Sequence, residues 1–375
     1  MNTDFLRAIE QVSAEKKITS EAILRAIEVA LVTAYRRNFG TTYSRVDVRI
    51  NRQDGAVRVF TKKLVVEDVT DPVAQISIGD ALRTDSDANL SRMTEVEVTP
   101  TDFGRLASQT AKQVVLQRLR EVERDQLHAD FAGRVDEILS GQISRIETRK
   151  VNGIEGRHLI VTLDKAEGLV PPLEQVPTEV YQPNQRMRFY VTEVTKGQRG
   201  TQIILSRTHR NLVRRLFELE VPEIYNGIVE IRSIAREPGS RTKVAVQALQ
   251  PGVDPVGSCV GVRGTRIQNV VAELHGEKID VIQWDPDPAV FVANALSPAK
   301  VVLVELNDLE KTAVILVPDR QLSLAIGREG QNARLAAKLT SWRIDIKPAS
   351  SRGLDSPETV IEQRTAVDAV TPSGR

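Results

Sequence analysis

The stretch CVGVRGTRI, residues 259 to 267, sets two glycines three positions apart around a Val-Arg pair, and AIGREGQNARL, 325 to 335, repeats the arrangement. One such pair would suit an ordinary helix-to-helix turn, where glycine supplies the left-handed cap. Two copies in matching surroundings constrain the chain far more. Reading outward from either pair gives the same order: helix, strand, strand, short helix, G-x-x-G, helix, strand. In the first unit these are HRNLVRRLFELE, IVEIRSI, RTKVAVQAL, DPVGSCV, the turn at 261 to 264, TRIQNVVAELH and EKIDVIQW. In the second they are DPAVFVANAL, KVVLVEL, KTAVILVP, RQLSLAI, the turn at 327 to 330, QNARLAAKL and WRIDIKP. Ile279-Asp280 and Ile344-Asp345 recur at about the same offset, which marks a tandem duplication.

A G-x-x-G loop between two helices lets backbone lie against a sugar-phosphate chain with no Cβ in the way. The helix that follows turns its N-terminal amides and positive dipole end toward the same phosphates. The predicted RNA-binding residues are Gly261, Val262, Arg263, Gly264 and Arg266 in the first unit. In the second they are Gly327, Arg328, Glu329, Gly330, Gln331, Asn332 and Arg334. Residues 255 to 268 contain no acid, whereas Glu329 sits inside the second loop, so the second is expected to hold phosphate less tightly. Val260, Ile267 and Ile326 are expected to touch bases. The pattern resembles the KH fold, which clamps about four nucleotides per copy. Neither loop is G-x-x-x-x-G-K-[ST], and neither joins a strand directly to a helix as a dinucleotide site requires.

Upstream, GRVDEILSGQISRIE, GRHLIVTL, AEGLVPP, QRMRFYVTEV and TQIILSRT read as five short strands, which suits a small OB-type barrel and resembles the S1-type RNA-binding barrel. Its available aromatic rings are Tyr181, Phe189, Tyr190 and His158. LSRTHRNLVRRL, 205 to 216, carries Arg207, Arg210, Arg214 and Arg215 without an acid, either as an RNA contact or as a solvated helix face. From Asp102 to about Gly133 the pattern is one long helix with Leu106, Val114, Val115, Leu119 and Val122 on its apolar side. At the N-terminus, Thr19 is the cap candidate of an amphipathic helix carrying Ile23, Ile27, Leu31 and Tyr35 and ending at Gly40. SRVDVRI and AVRVF then form a hairpin across Asp54-Gly55. Its basic residues, among them Arg45, Arg49, Arg52 and Arg58, read as a solvated sheet face.

The expected fold class is therefore multidomain α+β: a mixed helix and hairpin N-terminal domain (1–104), a connecting helix (105–132), an S1-type OB β-barrel (133–208), two tandem KH domains (209–284 and 285–348) and a flexible tail (349–375). With 51 Lys plus Arg against 50 Asp plus Glu, total charge predicts no polyanion partner, and only local patches can. Cys259 alone cannot form an internal disulfide and reads as a small buried hydrophobe; a reducing cytoplasm fits. No run of 18 apolar residues predicts a membrane span. His128, His158, His209 and His275 have no ligand partner at helical spacing, so no metal and no cofactor are expected. Asp164-Lys165 and Asp285-Pro286-Asp287 lie in turn-like sequence, and no nucleophile-base constellation is visible, so the chain does not read as an enzyme.

Together, VPEIYNGIVEI (221 to 231), AREPGSRTKVAV (235 to 246), DPVGSCVGVRG (254 to 264) and AIGREGQNARLA (325 to 336) resemble the NusA family of bacterial transcription elongation factors, over residues 1 to about 348. The resemblance implies an N-terminal domain docked on RNA polymerase near the RNA exit channel and a barrel and KH pair that follow single-stranded nascent RNA. It implies effects on pausing, intrinsic termination and antitermination, other antitermination factors as partners, and a cytoplasmic monomer. Longer relatives carry C-terminal acidic repeats that are missing here, so interactions attributed to them are expected to be absent. The alternatives are a KH/S1-type protein of ribosome assembly and one of RNA turnover resembling phosphorolytic ribonucleases. The latter place their modules after a large catalytic core, in the order KH then barrel.

Overall fold

The computed structural model describes residues 3–16, 19–40, 46–151, 154–197 and 200–352, which fall into two compact units, 1–127 and 128–375. In the first unit, α1 (Thr3–Lys16) and α2 (Ser20–Phe39) precede β1 (Val46–Ile50), β2 (Val57–Val66), β3 (Gln75–Ser77), α3 (Ile78–Thr84), β4 (Met93–Glu97) and α4 (Phe103–Ala132). The long β2 pairs with all three other strands, antiparallel to β1 and β4 and parallel to β3. Ile23, Leu24, Ile27, Leu31 and Tyr35 form the buried stripe of α2, packed with Val46, Val48 and Ile50 from β1.

Thr19 does precede α2 in extended conformation, but its side chain makes no cap bond. Its carbonyl instead accepts from Ala22 N at 3.0 Å. The β1–β2 connection is wider than a two-residue turn: Asn51 N donates to Ala56 O at 2.8 Å, and Gly55 sits at φ 71°. Two of the charges on this hairpin are compensated, Arg49 by Glu95 at 2.8 and 2.6 Å and Arg52 by Glu28 at 2.7 Å. Arg45 lies outside the described residues. The α4 face that enters the core is Phe103, Ala107 and Ala111, with Leu106, Val114 and Val115 partly buried beside it. Alanine at spacing four lets the helix backbone approach closely, and this core extends past residue 104.

The second unit opens with β5 (Ile138–Val151), β6 (Ile154–Thr162), β7 (Glu167–Val170), β8 (Arg186–Gly197) and β9 (Gly200–Ser206). They close into a barrel in the order β5-β6-β7-β9-β8, with β7 and β9 parallel and the other pairs antiparallel. This five-stranded closure is the OB arrangement. Phe189, Tyr190 and His158 are all buried, and the Tyr181 hydroxyl donates to Glu179 at 2.8 Å. Phe189, Tyr190 and His158 are therefore spent on the interior, not held out for base stacking.

Two repeats follow. The first comprises α5 (Arg210–Glu220), α6 (Pro222–Tyr225), β10 (Val229–Glu237), β11 (Arg241–Ala248), α7 (Pro255–Val260), α8 (Thr265–Glu273) and β12 (Lys278–Gln283). The second comprises α9 (Pro288–Ala295), β13 (Leu303–Asn307), β14 (Thr312–Val317), α10 (Leu322–Ile326), α11 (Gln331–Thr340) and β15 (Arg343–Pro348). Each sheet pairs its first two strands antiparallel and its last two parallel. The Ile-Asp pairs lie on β12 and β15.

Residues 242–246 of β11 are all buried, because helices of its own repeat cover one face and the second repeat covers the other. Ala235, Ala245 and Ile282 of the first sheet accordingly share one core with Phe291, Ile315, Leu335, Ala336 and Leu339. Ser233 Oγ donates across this contact to Leu339 O at 3.1 Å. Beyond β15, Ala349 is buried against Leu316, and Arg352 grips Glu305 at 2.9 and 3.0 Å. The rest of the expected tail, 353–375, lies outside the described residues. No helix among the described residues is long and apolar enough to cross a membrane.

Candidate nucleic-acid interface

The two loops have nearly the same backbone. Helix α7 ends at Gly261 (φ 74°, ψ 174°); Arg263 (φ 53°, ψ 23°) and Gly264 (φ 79°, ψ 14°) then carry the chain into α8. Helix α10 ends at Gly327 (φ 77°, ψ 171°), followed by Glu329 (φ 53°, ψ 27°) and Gly330 (φ 74°, ψ 14°) before α11. The first glycine of each pair occupies a region that essentially only glycine enters. Arg263 and Glu329 are held left-handed, an outlier for residues with a Cβ and the kind of local strain that concentrates at functional loops.

Close approach reinforces the glycine requirement. A Cβ on Gly261 would meet Arg266 Cγ at 2.8 Å, and one on Gly327 would meet Asn332 Cβ at 2.8 Å. Arg266 and Asn332 hold the same place, five residues past the first glycine, and do the same work. Arg266 Nη1 donates to Ser258 O at 2.7 Å and to Glu223 Oε2 at 2.8 Å. Asn332 Nδ2 donates to Ala325 O and to Leu296 O, each at 3.0 Å. Both side chains thus stitch the helix after the loop to carbonyls at the end of the helix before it. Replacing Asn332 with leucine is expected to lower stability by about 1–3 kcal/mol, since the buried Ala325 carbonyl loses its donor, whereas Leu296 O keeps the Ala299 amide at 3.1 Å. A urea titration of the purified chain reads this directly, and an unchanged midpoint would show that other donors replace the amide.

The side chains left in water at the loops are few. Val262 is 81% exposed, Arg263 is exposed, and the side chains of Arg328 and Glu329 are 93% and 83% exposed. Gln331 and Arg334 point instead to the first repeat, where both bond Glu237. Val260 and Ile267 are half-buried, and Ile326 is exposed. The acid-free window from 255 to 268 does acquire an acid in three dimensions: Glu223, brought in by α6, neutralises Arg266.

Of the arginines at the barrel boundary, Arg207 fits neither expectation. It is buried and reaches Glu179 with Nε at 3.0 Å and Nη2, while Nη1 donates to Arg188 O and Nη2 to Glu273 O, each at 2.8 Å. Arg214 donates to Ile231 O at 3.0 Å, and Arg215 Nε donates to Asp136 O at 2.7 Å. Arg207 and Arg215 are thus structural ties between the barrel and the first repeat, and Arg214 is a tie within the first repeat. Cys259 is buried in the first repeat, and burial pushes its thiol up to about 12. Asp285 and Asp287 bond local backbone amides, Asp287 capping α9. Among the described residues no group of three or more His, Cys, Asp or Glu side chains could hold a metal ion.

Comparison with known proteins agrees with this architecture. The NusA N-terminal domain family matches residues 4–125, the NusA-like first KH domain 207–284 and the NusA-like second KH domain 288–353. A curated relative from Halalkalibacterium halodurans is 50% identical over 374 residues, covering 99% of this chain and 96% of its own. The chain belongs to the NusA family. A NusA from Bacillus subtilis is 50% identical over 92% of this chain and 91% of its own, and one from Thermus thermophilus 39% identical over 95% and 92%. These NusA relatives all bear the name transcription termination/antitermination protein. That name supports the transcription reading and neither the ribosome-assembly nor the RNA-turnover alternative, and it describes transcription factors rather than enzymes.

Proposed function

We propose that this chain is a transcription elongation factor that binds RNA polymerase through its N-terminal domain and grips single-stranded nascent RNA with its tandem loops. In the cytoplasm, as a monomer, it modulates pausing, intrinsic termination and antitermination, with other antitermination factors as further partners. The observation that carries the RNA half is the pair of matching loops, each offering bare glycine backbone at the start of a helix beside an exposed arginine. Arg263 and Arg328 supply charge to phosphate, and Val262 lies against a base. Arg266 and Asn332 hold the loop shape that makes this approach available. Family membership carries the polymerase half.

Such a grip is electrostatic in large part, so affinity for single-stranded RNA is expected to fall by about 0.7 log units per phosphate contact for each tenfold rise in salt. Fluorescence anisotropy across a salt series measures this, and a flat profile would argue against a phosphate clamp. Elongation by purified polymerase on a template with a strong pause, with and without the full chain, tests the transcriptional role. Unchanged pause lifetimes and unchanged terminator efficiency would reject it.

A further inference from the structure

The two loops share a backbone but not an electrostatic setting. At the second, Arg334 Nε donates to Glu237 Oε1 at 2.6 Å, and Gln331 Nε2 donates to Glu237 Oε2 at 2.8 Å and to Ser240 Oγ at 2.7 Å. Glu237 ends β10 of the first repeat, so an acid from one repeat reaches the first turn of the loop helix of the other. Arg334 Nη1 also reaches Glu329 O, within the loop itself, at 3.1 Å. The Arg334 hydrogen bond holds the Glu237 carboxyl below the usual carboxylate range, so it is ionised at neutral pH. Arg328 and Arg334 are thereby balanced by Glu329 and Glu237. At the first loop, Glu223 balances Arg266, but among the described residues no acid pairs with the exposed Arg263.

The backbone that carries Glu237 is fixed. The turn it begins is pinned by Glu277, a buried carboxylate that accepts from Gly239 N at 2.8 Å and from Arg236 Nη2 at 2.9 Å. On its other side, a Cβ on Gly239 would overlap Thr178 Oγ1 of the barrel. The backbone of Glu237 is therefore held beside the second loop, and its carboxylate reaches Gln331 and Arg334 from there.

We propose that Glu237 is a built-in competitor for RNA phosphate at the second loop, its carboxylate occupying the arginine fork that a phosphodiester would otherwise take. Capture of the strand there exchanges one anion on Arg334 for another, at little net electrostatic gain. The second loop then engages a strand already held by the first, where tethering raises its effective concentration, and discriminates against stray polyanions. This rests on the phosphate-clamp reading of the loops.

Glu237→Gln tests it, because the amide keeps the size of the side chain and can still pair with Gln331 while removing the charge. In the full chain, affinity for a single-stranded RNA oligonucleotide spanning both loops is expected to rise about two- to fivefold at low salt, the worth of a partly exposed ion pair. The log-log salt slope should steepen by about 0.7, one further phosphate contact. Arg334→Gln added to Glu237→Gln should return affinity and slope to those of the unmodified chain, which a merely structural role for Glu237 would not produce. Unchanged or weakened binding by Glu237→Gln, with an unaltered melting transition, would overturn the proposal. Gly264→Asp run in parallel separates the two claims: if it too leaves binding intact, the phosphate clamp itself fails.

Discussion

Gly264→Asp is expected to weaken single-stranded RNA binding at least about tenfold while leaving the circular dichroism spectrum unchanged. Gly264 sits at φ 79°, ψ 14°, and the nearest atom to an added Cβ is Ile267 Cγ2 at 3.9 Å. Space is therefore available, and the folded chain bears only the left-handed penalty of about 1–2 kcal/mol. The ligand meets a carboxylate where phosphate should approach, and loss of one hydrogen bond to a charged group is worth about 1.5–3 kcal/mol, a factor of about 10 to 150. Gly261 is a harsher site, since its conformation excludes a side chain and the Arg266 stem stands in the way. The double change at 261 and 264 should thus abolish most binding, at some cost to the loop itself. Gly330→Asp, with no atom within 4 Å of the added Cβ, should cost less than Gly264→Asp because its loop already carries Glu329. Wild-type affinity for a correctly folded Gly264→Asp chain would remove the first loop from the interface.

What the sequence made legible was the part of the site dictated by local chemistry. Glycines three apart, the helices around them and the order of strands follow from cap, period and turn signals within about 75 residues, and the structure has those elements. What stayed hidden was contributed by partners distant in sequence. Arg266 and Asn332 read as RNA-binding residues of the two loops, yet each donates to a carbonyl of the preceding helix. Glu223 and Glu237 lie 43 and 97 residues from the arginines they pair with. The usable signal was register: 266 and 332 fall at the same offset in both units, which hints at a shared job before chemistry says what it is. Burial on both faces of β11 was likewise unreadable from its own alternation, because the covering layer belongs to another repeat. The short strands β3 and β4, of three and five residues, went unread because such patterns are too brief to separate from loops.

Arg207→Met should destabilise the second unit by about 3–5 kcal/mol, far more than loss of a surface pair such as Arg118 with Glu121. The guanidinium is completely buried, and the side chain of Glu179 is 2% exposed. Removing the arginine strands that carboxylate with only the Tyr181 hydroxyl, at 2.8 Å, and the half-exposed His275 ring, at 3.3 Å, beside it. It also leaves Arg188 O and Glu273 O without their donor. Because these groups belong to the barrel and to the first repeat, the cost should appear as uncoupling of the two, seen as an earlier urea midpoint or a split transition. Glu179→Met placed on top of Arg207→Met should recover part of the loss, since a carboxylate without its arginine is no longer buried. Such recovery would show that the pair serves chiefly to fix how the barrel meets the first repeat. A double variant as unstable as the single one would place the cost in the lost carbonyl bonds instead.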